Sequence, residues 1–259
     1  MTKNLKTILF LLFTGFFSAC YGQTAISDEV KTNIKSRVDI GVNTGIVIGI
    51  INAYQTQYYS YGVKSMKTNE PVDEHSIFEI GSISKTFTGI LLADMVIKKE
   101  VKLNDPLQKY LPEGTTAPSQ NGESIKLVHL SNHTSSLPRL PNNFTPVNQA
   151  NPYADYSEKL LYEFLNSYQL KRDIGSQYEY SNYAAGLLGH IMANKRGMNY
   201  EELMIDVIAK PLGLKNTCYP HLTCRKTSPW ATMVVQKLKI GIYQRLPGLG
   251  QFARPLLIW

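Results

Sequence analysis

The chain holds three cysteines in 259 residues, Cys20, Cys218 and Cys224. That excludes a disulfide-built scaffold of the kind small secreted domains rely on; a pairing of Cys218 with Cys224 stays open in an oxidising compartment. Cys218, His221 and Cys224 also fall at metal-ligand spacing. They supply three ligands without an evident fourth, so no metal is assigned. No internal repeat or low-complexity stretch is present, which excludes a solenoid. Apart from Ile8 to Phe17 no long apolar run occurs, and that run is too short to span a bilayer comfortably. Acid is missing altogether from residues 224–259.

Residues 1–22 read as an export signal: Lys3 and Lys6, then the apolar run, then the small residues Ser18, Ala19 and Gly22. Two readings follow. Cleavage after Gly22 releases a chain starting at Gln23; alternatively Phe17-Ser18-Ala19-Cys20 serves as a lipoprotein box and Cys20 carries a lipid anchor. Either way the expectation is an exported, periplasmic protein, free or membrane-attached. The formal charge of +7 invites nucleic acid as a partner. Its distribution argues against one. Lys3, Lys6, Arg225, Lys226, Lys237, Lys239, Arg245 and Arg254 all lie at the two ends, leaving 19 basic against 20 acidic residues in 23–223.

Hydrophobic residues make up 43% of the chain, ample for one sizeable core or two subdomains. Val30, Ile34 and Val38 recur at helical spacing and predict a helix over 26–40. The β-branched run 45–51 predicts a buried strand, with 56–62 as its hairpin partner. Further helices are expected over 82–98, with Phe87, Ile90, Leu91 and Met95 inward, and over 157–168, with Leu160, Leu161, Phe164 and Leu165 inward. A helix after Asn182 should end at Gly197, and another over 200–209 should stop before Pro211. Residues 141–156 read as loop.

Chemistry concentrates at Phe78-Glu79-Ile80-Gly81-Ser82-Ile83-Ser84-Lys85-Thr86-Phe87-Thr88-Gly89. Residues three apart share a helix face, so Lys85 stands beside the Ser82 hydroxyl. A serine hydroxyl is a weak nucleophile until a neighbouring base takes its proton, and a lysine with a lowered pKa can be that base. The partial positive charge of the helix N-terminus favours negative charge developing on the serine. Alone, Ser-x-x-Lys is an ordinary helix start.

Its wording resembles the nucleophile helix of the class C beta-lactamase branch of the serine beta-lactamase and penicillin-binding protein superfamily. Two more stretches share that resemblance. Ser131-Asn132-His133-Thr134-Ser135-Ser136-Leu137-Pro138 is similar to the His-Thr-Ser-Gly-Leu-Pro loop, with Ser136 where the family has Gly. Such a Gly with positive φ is poorly replaced by Ser. Tyr178-Glu179-Tyr180-Ser181-Asn182-Tyr183 resembles the Tyr-x-Asn motif. His133 invites a general-base role; the reading taken is an imidazole that fixes its loop by hydrogen bonds.

The resemblance covers roughly residues 26–223 and implies an α/β (α+β) fold of the beta-lactamase/transpeptidase type. In that fold helices flank an antiparallel sheet beside an all-helical domain. It implies that Ser82 forms an acyl-enzyme, that Lys85 helps remove its proton, and that Tyr180 relays a proton to the leaving nitrogen. Tyr180 needs a lowered pKa, or a proton shared with Lys85, to do so near neutral pH. Asn182 is expected to hydrogen-bond the substrate amide and hold the lysine. Two backbone N–H groups, one from Ser82, form the oxyanion hole. No cofactor is implied; the substrate is a beta-lactam, a D-alanyl peptide of peptidoglycan, or a simple ester.

The resemblance stops at about Thr223. The family's third motif, Lys- or His-Thr-Gly on a C-terminal strand, is absent; Lys226-Thr227-Ser228 falls far too early and Pro229 interrupts any strand. The expected organisation is export signal 1–22, partial domain 23–223 with its C-terminal strands missing, and an atypical basic tail 224–259. A one-base shift in reading frame near Thr223–Arg225 accounts for that tail. Permitted codons for Leu238 to Trp259, regrouped so that each takes the third base of one written codon and the first two of the next, can spell ENWDLPALAGAGAIRSTATDM, which looks like the family's continuation. Such a product should be poorly soluble and weakly active. The reading from another class is an inactive pseudoenzyme or a membrane-tethered binding remnant. Sequencing the DNA from codon 215 past the stop should show the shifted frame running on to a Lys- or His-Thr-Gly. A DNA with no such frame makes the tail genuine.

Overall fold

The computed structural model describes residues 25–53, 55–78, 80–147, 152–153 and 155–217. The export segment with Cys20, the stretch Cys218 to Cys224 and the basic tail lie outside the described residues. Described residues up to Phe78 belong to one compact unit and those from Ile80 to a second.

In the first unit, helix α1 (Asp28–Asp39) starts at Ser27, whose hydroxyl accepts the N–H of Val30 at 3.3 Å. Asp28 and Glu29 in its first turn and Arg37 in its last complement the helix dipole. Of the apolar row read from the sequence, Ile34 is buried and Val30 is exposed. Helix α1 packs on the hairpin of β1 (Gly45–Ile51) and β2 (Thr56–Gly62). The strands are antiparallel, in register from Gly45 opposite Gly62 to Ile51 opposite Thr56. Glycine is required at position 62: φ is +96°, and a Cβ would lie 2.4 Å from the Thr44 carbonyl oxygen.

The second unit is mostly helical. A 3₁₀ turn (Gly81–Ile83) leads into α2 (Ser84–Ile97), and a second 3₁₀ turn spans Leu107–Tyr110. A short antiparallel ribbon of β3 (Ser119–Gln120) and β4 (Glu123–Ser124) follows, then α3 (Leu127–Ser131) and α4 (Glu158–Ser167). Helix α5 (Asn182–Arg196) runs to Gly197, whose φ of +64° and whose N–H, bonded to the Ala193 and Asn194 carbonyls, close the helix as the sequence predicts. Helix α6 (Tyr200–Met204) passes into a π turn (Ile205–Ala209), where an unbroken α-helix was expected.

Leu91, Leu92 and Met95 of α2 meet Leu187, Leu188, Ile191 and Met192 of α5 in one core that also takes in Phe164, Leu165, Leu203 and Ile208. The inner face of α2 differs from the sequence reading at one position. Ile90 is 44% exposed, and Thr88 and Leu92 are buried instead. Thr88 faces inward because its hydroxyl bonds the Tyr200 hydroxyl at 2.8 Å. Gly189 leaves room for the Tyr200 ring, since a Cβ there would stand 3.0 Å from it. In α4 Phe164 and Leu165 are buried, while Leu160 and Leu161 are half-buried. No helix among the described residues is long and apolar enough to cross a membrane.

Leu187 is 0% exposed and Ile90 44%. Leu187→Ala should therefore cost about 2–5 kcal/mol of unfolding free energy through transfer and cavity terms, and Ile90→Ala roughly 0.5 kcal/mol or less. Urea denaturation of both variants checks the ordering; equal losses would refute the assigned inner face of α2.

Candidate active site

Ser82 sits in the 3₁₀ turn that opens α2, after Gly81 at φ +52°. One helical turn on, Lys85 directs Nζ back to it and donates to Ser82 Oγ at 3.1 Å. The spacing read from the sequence thus yields the expected pair. The second partner comes from far along the chain: the Tyr180 hydroxyl makes a short hydrogen bond with Ser82 Oγ. Lys85 Nζ lies 4.9 Å from the Tyr180 ring centroid. All three side chains are half-buried, shielded yet reachable.

Tyr180 lies in the extended stretch just before α5. That stretch is fastened to the loop that follows α3. The Glu179 N–H donates to the His133 carbonyl at 2.8 Å, and the Ser181 N–H donates to His133 Nδ1 at 3.1 Å. Ser181, 0% exposed, caps α5: its hydroxyl accepts the Ala184 N–H at 2.9 Å and donates to the Pro138 carbonyl at 2.6 Å. The N–H groups of Asn182 and Tyr183 end on the Arg139 carbonyl at 3.0 and 3.3 Å.

The loop pays for this contact in backbone strain. His133 has φ +63° and Ser136 φ +62°, the left-handed conformation the family's Gly adopts freely. Ser136 is 2% exposed, and its hydroxyl accepts the Arg172 N–H at 3.3 Å. That bond offsets part of a backbone cost of roughly 1–2 kcal/mol.

Charge at the site is arranged around the phenol. Burial alone would raise the Tyr180 pKa. Hydrogen bonding to Lys85 and Ser82, with the positive charges of Lys85 and Arg139, outweighs burial and holds the phenol below its ordinary value. The Arg139 guanidinium carbon lies 5.0 Å from the ring centroid. Sequence reading did not single out Arg139; it stands directly after Leu137-Pro138, and nothing local ties it to a tyrosine so far along the chain. His133, read as a loop-fixing imidazole, has its ring 4.7 Å from that of Tyr180.

Asn182 occupies the first turn of α5 and is 6% exposed. Its Oδ1 is buried with no hydrogen-bond partner among the described residues. The expected hold of Asn182 on Lys85 is therefore not made through Oδ1, the atom that would accept the lysine's N–H. No group of three or more His, Cys, Asp or Glu among the described residues is arranged to hold a metal ion.

Against known proteins, the family model described as Beta-lactamase matches residues 30–223. The chain is 36% identical over 178 residues to the D-alanyl-D-alanine-carboxypeptidase/endopeptidase AmpH of Escherichia coli K12, covering 68% of this chain and 45% of that protein. It is 31% identical over 213 residues to a beta-lactamase of the same strain, covering 82% and 53%. Among solved structures, the beta-lactamase/D-alanine carboxypeptidase of Yersinia pestis, complexed with citrate, superposes with a TM-score of 0.62 at 29% identity. That match covers 74% of this chain and 56% of the other. The chain spans about half the length of the curated relatives it matches. With the family model spanning most of the chain and the fold matching solved members, the chain belongs to the beta-lactamase family.

Proposed function

We propose that Ser82 is the nucleophile of an acyl-transfer site that opens amide bonds of beta-lactams or D-alanyl peptides. One observation carries this reading: the Ser82 hydroxyl is held at once by Lys85 Nζ at 3.1 Å and by the Tyr180 hydroxyl. Ser82 Oγ attacks the carbonyl carbon while its proton passes into the Tyr180–Lys85 pair. The C–N bond then breaks, and the leaving nitrogen takes that proton from Tyr180. Water attacks the resulting ester, activated by the same phenol, and restores the serine. The Ser82 backbone N–H is assigned to the oxyanion.

Asn182 contributes by being incomplete. An unpaired buried acceptor costs about 1–3 kcal/mol, and a substrate N–H reaching Oδ1 recovers that cost. The relatives support the substrate class: one is named a D-alanyl-D-alanine-carboxypeptidase/endopeptidase and another a beta-lactamase. Export through residues 1–22 would bring the protein to such substrates. Palmitate incorporation lost in Cys20→Ser would establish the lipid-anchored form; no incorporation by the parent would leave the cleaved form.

Incubation of the full chain with a fluorescent penicillin should give one adduct, mapped by peptide mass to Ser82 and absent in Ser82→Ala. Tyr180→Phe should slow its formation by about 10²–10⁴-fold, the usual weight of a positioned general base. The parent's labelling rate should rise with pH and level off below pH 10, because the Tyr180 phenol is held beneath that ordinary value. Fast release of the adduct identifies a beta-lactamase and slow release a peptidase. Turnover of p-nitrophenyl esters without any adduct identifies an esterase. No adduct and no turnover would overturn the proposal.

A further inference from the structure

We propose that His133 is a positioning residue for Tyr180: its carbonyl and its imidazole Nδ1 together grip the peptide N–H groups on either side of the tyrosine and fix the phenol over Ser82. Both bonds come from one residue, the carbonyl to the Glu179 N–H at 2.8 Å and Nδ1 to the Ser181 N–H at 3.1 Å. A strand partner would offer the carbonyls of two alternate residues; here a side-chain nitrogen of the same residue supplies the second acceptor. The left-handed backbone of His133, φ +63°, accompanies this doubled use of one residue. The imidazole then lies against the Tyr180 ring, centroids 4.7 Å apart, and edge-on to Tyr178 at 5.7 Å. Tyr180 is thereby fixed along its backbone and on one face of its ring.

The grip has a protonation state. Nδ1 accepts only while unprotonated, so the ring proton belongs on Nε2. Burial first, and the Lys85 charge second, hold His133 below its ordinary value of 6.5. The groups facing this part of the site are Lys85 from α2, Tyr178 and Tyr180 from the gripped segment, and Arg139 across the Tyr180 ring. No carboxylate among the described residues contributes to the His133 shift. With the folded pKa depressed, the grip is intact above pH 6.5 and is lost as pH falls through the folded value.

Two variants of the full chain separate the imidazole from the backbone. His133→Gly keeps a residue at home with φ +63° and keeps the carbonyl, but removes Nδ1. His133→Asn tolerates the same backbone and returns a non-titrating acceptor near the Nδ1 position. The first readout is the titration of Tyr180, followed by NMR of ¹³Cζ-labelled tyrosine and assigned by the signal lost in Tyr180→Phe. His133→Gly should move that titration up towards 10, and His133→Asn should return it to the parent value. The second readout, penicillin labelling of Ser82, rests on the acyl-transfer reading. It should slow about 10- to 100-fold in His133→Gly, the cost of a misplaced catalytic group, and recover in His133→Asn. Below pH 6.5 the parent's labelling rate should fall more steeply than the Tyr180 titration alone sets, and His133→Asn should keep only the shallower Tyr180 slope. An unchanged Tyr180 titration in His133→Gly overturns the proposal. Should His133→Gly fail to fold, His133→Asn decides alone: a fall below pH 6.5 as steep as the parent's overturns it. Should Ser82 take no label in the parent, the acyl-transfer reading fails while the Tyr180 titration still tests the grip.

Discussion

Everything at the site depends on the seam between the loop 133–139 and the segment 179–183. Tyr180 belongs to a short extended stretch with no sheet among the described residues to hold it. Its peptide groups must still be paired, because a buried unpaired N–H costs about 1–3 kcal/mol. The loop after α3 provides that pairing through His133 and Arg139 at 2.8 to 3.3 Å, and the Pro138 carbonyl takes the Ser181 hydroxyl at 2.6 Å. Ser181, the residue beside the tyrosine, is the hinge pin: one hydroxyl caps α5 and closes onto the loop at once. The strain at His133 and Ser136 shows that the loop is shaped for this contact rather than for its own comfort.

The seam also sets the electrostatics. Leu137 and Pro138 carry the chain on to Arg139, whose guanidinium faces the Tyr180 ring on the pinned segment. Lys85 arrives from α2, whose orientation is fixed by Leu91, Leu92 and Met95 in the common core and by the Thr88–Tyr200 hydrogen bond. Two cationic side chains thus approach one phenol from different elements. Under the acyl-transfer proposal, charge placed in advance in this way needs no rearrangement during the reaction.

The sequence announced the local half of the site and not the remote half. Ser82 and Lys85 are three residues apart, so helical geometry alone pairs them. Tyr180 and Asn182 were legible only through resemblance to a family, because their partners lie far along the chain. Arg139 carried no signal at all. The hairpin and the Gly197 stop followed from β-branched runs and a C-terminal glycine, although β1 is half-buried to exposed where a buried strand was expected. Periodicity misplaced Ile90, since α2 carries Phe87, Ile90, Leu91, Leu92, Met95, Val96 and Ile97 on more than one side, and tertiary contacts choose which of these rows turns inward. The π turn at Ile205–Ala209 had no composition cue.

The spacing of the seam along the chain bears on the order in which the site is built. Ser181 and His133 are 48 residues apart, whereas Ser82 and Tyr180 are 98 apart. Closing the longer loop from an unfolded chain costs about 0.6 kcal/mol more for a doubling of length, and it also requires α2 to dock. Loop closure alone therefore favours the cradle around Tyr180 over the longer-range contact with Ser82. Until α2 seats, the phenol lacks the Lys85 and Ser82 partners that hold its pKa down, so the tuning of Tyr180 and its contact with Ser82 arrive together.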